Sequence, residues 1–241
     1  MLRPLARRAD RPRTTGHTLG ESAGSTGRFL ERLGADRESF VRDHFDAAWG
    51  WYEPLTSLCT LGFDRAWRRR CIAACNLRPG GRLLDIGTAT GQLVCRALEV
   101  LASGGLAVGL DISLAGLTRA RRARSGEAQA AWVQARAPDL PIGDGCLHAV
   151  SCGFALRHLG PLEALFPELY RILVPGGRVA LLVFLRPDSG ARGRIGLAYL
   201  EWVVPAVVAL ISRRRAVARL ARYLPATIRD AASCDELSAA L

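Results

Sequence analysis

Three kinds of hydrophobic pattern follow one another along this chain. From Glu38 to about Cys75 the apolar positions Phe40, Phe45, Ala48, Trp49 and Tyr52 recur at three- and four-residue spacing, which predicts amphipathic helix. A second helix is expected from about Leu61 to Cys75, stopped by LRPGG with Pro79 and its glycine pair. The pattern then changes to short continuous apolar runs, read as strands at Arg82–Gly87, Leu106–Asp111, Ala131–Arg136, Leu147–Phe154 and Arg178–Leu185. Between them amphipathic stretches predict helices at Gly91–Leu101, Leu114–Arg124 and Leu162–Leu173. Strands that are apolar throughout, alternating with helices, imply a parallel sheet covered on both faces, an α/β fold. A third pattern closes the chain. Ile195–Ile211 is almost wholly apolar, with Glu201 and Pro205 inside it, and Arg213, Arg214, Arg215, Arg219 and Arg222 follow at once. That run is short of the roughly 20 residues a bilayer span needs. It suits a helical lid over a greasy substrate, resting on an anionic membrane surface, or a core helix closing the domain.

These patterns divide the chain into an Arg-, Gly-, Ser- and Pro-rich tail at 1–35, expected to be disordered, and one domain at 36–241. Within the domain, 36–80 is an N-terminal helical segment, 81–186 the αβ core and 187–241 a helical lid. The tail reads as a bacterial leader, with a transit peptide as the alternative. The net charge is 33 − 22 = +11, and every basic residue is Arg. Those arginines are spread along the chain from Arg3 to Arg229, so no nucleic-acid partner is expected. The seven cysteines sit mostly in apolar runs and complete no zinc spacing, so no metal is expected. Their odd number, with no signal peptide read at the start, points to a reducing cytoplasm.

Candidate chemistry gathers in the core. LLDIGTATG, Leu83–Gly91, is a buried strand, a turn and a helix start. This context binds nucleotide-like cofactors, with Gly87 and Gly91 expected to let the backbone approach the ligand. The spacing is not that of the dinucleotide glycine motif, and no Lys makes it a phosphate loop. Asp111 ends the next strand, twenty residues beyond Gly91. There a carboxylate can accept hydrogen bonds from two ribose hydroxyls, or serve the N-terminus of the next helix. Further on come ARAPDLPIGDGCLHAVSCGFALRHL, Ala135–Leu159, and the PGG turn Pro175–Gly177.

Taken with Tyr52, the segment GFDRAWR at Gly62–Arg68, GFALRHL, RILVPGGRVALLVFLRP, EWVVPAVVALIS and RYLPATIRD, these pieces resemble the ubiquinone/menaquinone biosynthesis C-methyltransferases, the UbiE type. GFALRHL and RYLPATIR are the specific ones. The resemblance implies a Rossmann-like class I methyltransferase fold. It also implies S-adenosylmethionine as cofactor, held by Asp85, Gly87, Thr88, Ala89, Gly91, Asp111, Ile112, Arg136 and Ala137. The implied reaction is methylation of a ring carbon of a prenylated quinol. Arg157 would stabilise the phenolate and His158 relay a proton, with Tyr52, Phe154 and Tyr223 on the substrate. An ion pair of Arg157 with Glu163 or Glu168 is the structural alternative. A lipid amine or a natural-product phenol is the alternative acceptor, and a non-catalytic, partner-binding relative the alternative class. With the cysteine reading and the apolar and basic late segments, the expected place is the cytoplasm, with attachment to the inner face of the membrane and a homodimer left open.

Four positions depart from the family pattern: Ala89 for the middle loop glycine, Gln92 for an acid, Arg136 for Asp or Asn beside the adenine, and Leu147–His148 for Phe–Asp. The fold also carries two further strands after the fifth. No two-residue alternation follows Leu185, which leaves two readings: the strands are absent and the fifth strand is an open edge, or they lie in a tail whose pattern reads helical or irregular.

Overall fold

The computed structural model describes residues 37–187, 190–212, 215–229 and 231–240. The tail at 1–35, and with it the leader expectation, lies outside them, as do Arg213 and Arg214. Two helices lead, α1 (Arg37–Cys59) and α2 (Asp64–Ala74). The core follows as β1 (Arg82–Ile86), α3 (Gln92–Leu101), β2 (Leu106–Asp111), α4 (Leu114–Ala123), β3 (Ala130–Gln134), β4 (Leu147–Gly153), α5 (Leu162–Ile172) and β5 (Leu173–Leu182). Three helices close the chain: α6 (Ala191–Ser212), α7 (Arg215–Arg229) and α8 (Cys234–Ala240).

All five strands are parallel, in the order β3-β2-β1-β4-β5. Leu83, Leu84, Val150 and Leu110 are shielded on both sheet faces, which is why the strands read as unbroken apolar runs. Strand order reverses between β1 and β4, and the crevice beyond the carboxyl ends of these strands is where such sheets bind ligands. On one face α3 turns Leu93, Val94, Ala97 and Leu101 into the core with Cys71 and Ile72 of α2. On the other, Leu165, Leu169 and Ile172 of α5 pack on Leu84, Val150 and Leu147.

A separate apolar layer caps the crevice. It joins Ala48 and Leu55 of α1, Leu200, Val204 and Val208 of α6, and Val217, Leu220 and Tyr223 of α7. The helix α6 corrects one expectation. The apolar run is carried by a helix of 22 residues, containing a π-helical turn at Tyr199–Val203, and by length and composition it could cross a membrane. Two features tie it to the domain: the buried stripe Leu200, Val204, Val208, Ser212, and an ion pair from Glu201 to Arg229 of α7.

Among the described residues no strand follows β5, which pairs with β4 on one side only. Its ladder begins at Leu173, earlier than the sequence suggested, with an irregularity opposite Leu147/Ala149 where the PGG turn is absorbed. The segment before α8 returns to the end of β5: the Arg186 amide donates to the Ala232 carbonyl at 3.1 Å.

Candidate functional site

The β1–α3 turn is built on left-handed backbone. Gly87, Ala89 and Gly91 have φ of 68°, 53° and 78°. Packing adds its own reason for the two glycines. A Cβ on Gly87 would lie 2.3 Å from the Ala155 Cβ, and one on Gly91 2.5 Å from the Trp132 ring. The protein's own side chains therefore use this room, and Gly87 also lines the cleft. Ala89 holds the same kind of backbone with a side chain, a conformation that costs an L-residue energy. Its amide donates to Asp111 Oδ2 at 2.8 Å.

Asp111 ends β2, buried beside the turn. Its second oxygen accepts from the Ser113 amide at 2.8 Å. Burial pushes its carboxyl up, and the amides of Ser113 and Ala89 pull it back. The cap of α4 is Ser113, whose Oγ accepts from the Gly116 amide at 3.0 Å. Asp111 is therefore not needed to cap the helix, and one amide on each oxygen leaves lone pairs for two ribose hydroxyls. The cleft in front of it measures about 720 Å³ including its open part, and Gly87, Ala89, Asp111, Ile112, Arg136 and Ala137 all line it. Arg136 stands exposed at the rim. The departure at Leu147–His148 lies elsewhere. His148 is at the amino end of β4, where its Nδ1 accepts from the Arg82 amide at 3.1 Å.

Asp85 closes the floor at the end of β1. It accepts from Thr88 Oγ1 and Ser151 Oγ, each at 2.7 Å. Burial raises its carboxyl to about 6 against these hydrogen bonds and the charge of Arg68. Thr88 is thus a support for Asp85 and lies behind the cleft surface.

Beyond β1, toward β4, the lining turns aromatic. Tyr52, Phe154, His158, Phe45 and Trp49 share the cleft. Phe154 has φ of 62°, a genuine outlier for a bulky residue and of the kind that clusters at functional sites. His158 lies between Phe45 (6.1 Å, edge-on) and Tyr223 (5.8 Å, stacked), and its Nδ1 meets the Tyr223 hydroxyl at 3.3 Å. Tyr223 is buried behind His158 and reaches the cleft through it. Arg157 donates from Nε to Thr227 Oγ1 at 3.1 Å and from Nη1 to the Phe154 carbonyl at 2.6 Å, with its guanidinium over the Phe184 ring. Burial pulls its pKa down, and tyrosines 223 and 52 hold it up. The alternative pair with Glu168 is not made: Glu168 binds Arg171 at 2.7 Å.

Sequence reasoning missed three residues here. Trp49 donates from Nε1 to Ser113 Oγ and Asp46 Oδ1, both at 3.0 Å, fastening α1 over the β2–α4 turn. Ser113 completes that contact. Arg68 is 6% exposed, one turn past Asp64 on the inner face of α2. Its position in the stripe 64, 68, 71, 72 was the available signal.

A left-handed glycine turn, a buried acid anchored two ways at the next strand end, and a cleft at the strand-order switch make a nucleoside site on a Rossmann-like sheet. The class within that description, fixed by family membership, is the S-adenosylmethionine-dependent methyltransferases. The chain matches the model of the ubiE/COQ5 methyltransferase family over residues 33–241, and it belongs to that family. It is similar to the demethylmenaquinone methyltransferase of Thermus thermophilus, 35% identical over 73% of this chain and 79% of the relative. It is 33% identical to the 2-phytyl-1,4-naphtoquinone methyltransferase of Synechococcus elongatus, over 70% of this chain and 74% of the relative. The ubiquinone/menaquinone biosynthesis C-methyltransferase UbiE of Geotalea daltonii is 30% identical over 83% and 85%. Among solved structures the YcgJ protein of Bacillus subtilis shares the fold, with a TM-score of 0.53 at 20% identity, over 73% of this chain and 65% of that one.

Proposed function

We propose that the protein transfers the methyl group of S-adenosylmethionine to a ring carbon of a prenylated quinol. The carrying observation is Arg157, a partly buried cation beside the cleft, bordering a small apolar cavity of about 30 Å³ with Leu55, Cys59, Leu220 and Leu224. The cofactor supplies an electrophilic methyl on a sulfonium. The protein has to hold a nucleophilic carbon in line with it and keep water out. A ring hydroxyl, ionised to phenolate, raises electron density on the neighbouring carbon, and a fixed guanidinium stabilises that oxygen without reorganising. His158, held by Tyr223 and Phe45, stands where it can take up the proton the ring loses. The apolar walls of this cavity, Leu55, Phe184, Leu220 and Leu224, suit contact with a prenyl chain. A lipid ammonium would meet Arg157, a like charge, in the same space. We further propose a cytoplasmic enzyme resting on the inner face of the membrane, supported by the exposed apolar stripe of α6 and the exposed Arg215, Arg219 and Arg222 of α7.

The test is methyl transfer from labelled S-adenosylmethionine to a short-chain demethylmenaquinol, with simple phenols as comparison. Arg157→Met should lower kcat by about a hundredfold or more with cofactor affinity unchanged. Transfer to phenols but to no prenylated quinol, or full activity of the variant, would overturn the assignment.

A further inference from the structure

Arg68 is the least explained charge in the molecule. It is buried, and among the described residues its Nε and Nη2 donate to nothing. Its ion-pair neighbour Asp64 approaches Nε only to 3.8 Å, and that carboxylate already accepts from Ser57 Oγ at 2.9 Å. The guanidinium instead lies over the ring of Phe154, at 5.4 Å from its centroid. Its charge also acts on Asp85 and Tyr52, whose pKa values burial raises and Arg68 lowers. Arg68 therefore stands where the ends of β1 and β4 meet the aromatic wall of the cleft. Buried donors are satisfied in folded proteins, so unspent ones directly behind Phe154, a residue of the cleft lining, mark a missing partner.

The order of the strands says what that partner is. Arg136 and Ala137 follow β3, Asp111 ends β2 and Asp85 ends β1, so the sheet order β3-β2-β1-β4 runs from the adenine side, past the ribose acid, toward β4. S-adenosylmethionine is linear: adenine, ribose, then a methionine chain ending in an ammonium and a carboxylate. With the ribose at Asp111, the methionine end extends past β1. Around Tyr52 and Phe154 the described acids are Asp85, Glu53 and Asp111, any of which suits an ammonium, while the guanidiniums that can meet a carboxylate are those of Arg68 and Arg157. Arg157 already donates to Thr227 and to the Phe154 carbonyl. We propose that Arg68 binds the methionine carboxylate of the cofactor, its planar fork matching the two oxygens, and that it does so from α2, outside the nucleotide-binding core. This rests on the cofactor assignment above. It divides the two arginines: Arg68 holds the donor, Arg157 the acceptor.

The experiment compares, by calorimetry, S-adenosylmethionine with its decarboxylated form, which differs in the carboxylate alone. The parent protein should prefer the full cofactor by about 10- to 100-fold, the worth of a charged hydrogen-bonded pair. In Arg68→Met and Arg68→Gln that preference should fall to near unity while affinity for the decarboxylated form is kept. A preference that survives both substitutions overturns the proposal, and so does an equal loss for the two ligands, which marks a structural role. If both variants unfold, amide exchange in the unmodified protein decides: the full cofactor should slow exchange across Asp64–Ala74 more than the decarboxylated one, and equal protection overturns the idea. A parent that binds neither ligand takes the cofactor assignment down with it, an outcome distinct from binding without discrimination.

Discussion

Single residues set the properties of this site by being slightly wrong for their place. Ala89 is a side chain on left-handed backbone (φ 53°) between two glycines that hold the same geometry freely. Ala89→Gly removes that strain and should raise stability by up to about 1 kcal/mol. It should also tighten S-adenosylmethionine by a few-fold, read by thermal melting and calorimetry; weaker binding would show instead that the methyl packs against the cofactor. Asp85 is the opposite case, an acid whose burial lifts its pKa from 3.8 to about 6. The folded state then holds the proton more tightly than the unfolded one. Between about pH 4 and 6 the folded protein binds more protons, so this group's contribution to stability falls as pH rises through that window and stays low above it. The whole effect is at most about 3 kcal/mol. Asp85→Asn keeps one acceptor oxygen, turns the other hydroxyl partner into the acceptor of its NH2, and carries no charge. It should flatten the pH profile of Tm and raise Tm at pH 7.5, while S-adenosylmethionine affinity at that pH falls because its ammonium loses its counter-charge. A Tm profile unchanged by the substitution would show that Asp85 stays ionised through the window.

At the scale of elements, legibility followed how far burial and polarity agree. The core strands could be read to within a residue or two, because sequences such as Leu83–Ile86 and Leu106–Leu110 are buried on both faces and say so in every residue. The fifth strand was read late, since the PGG turn breaks the apolar run while the ladder to β4 continues past it. The helix α6 was read short because Ala191–Arg194 is polar and glycine-rich at its start, although the backbone is already helical. Arg68 was passed over for a deeper reason. Apolar periodicity finds the inner face of a helix only where that face is apolar, and α2 turns Asp64 and Arg68 inward beside Cys71 and Ile72. Polar residues inside a core are where pattern reading fails and where function concentrates. The glycine turn shows the converse: its positions were found correctly, but that Ala155 and Trp132 fill the space at Gly87 and Gly91 requires contacts far apart in sequence.

For the whole molecule, the question is how a water-borne nucleoside and a lipid-borne quinol reach one cleft. The helical layer has two faces. Leu200, Val204 and Val208 of α6 look inward, while Ile195, Trp202, Val203 and Leu210, at i, i+7, i+8 and i+15, are 45–80% exposed. Beside this stripe Arg215, Arg219 and Arg222 share one exposed face of α7. An amphipathic helix with arginines alongside binds an anionic bilayer by burying the stripe and placing the cations among the headgroups. At about 1 kcal/mol for each of these three arginines, anionic vesicles should bind about a hundredfold better than neutral ones, and salt should erode the difference. Phosphatidylglycerol vesicles are therefore expected to sediment the protein at low salt and phosphatidylcholine vesicles to leave it in solution. Trp202→Glu with Leu210→Glu should abolish the binding, slow turnover of a long-tailed quinol presented in vesicles, and leave turnover of a short, soluble one unchanged. Indifference of vesicle binding to both substitutions would remove α6 from the membrane contact. Protein that resists both salt and alkaline extraction would instead have α6 crossing the bilayer, and the packing of Leu200, Val204 and Val208 against α1 and α7 would then have to come apart.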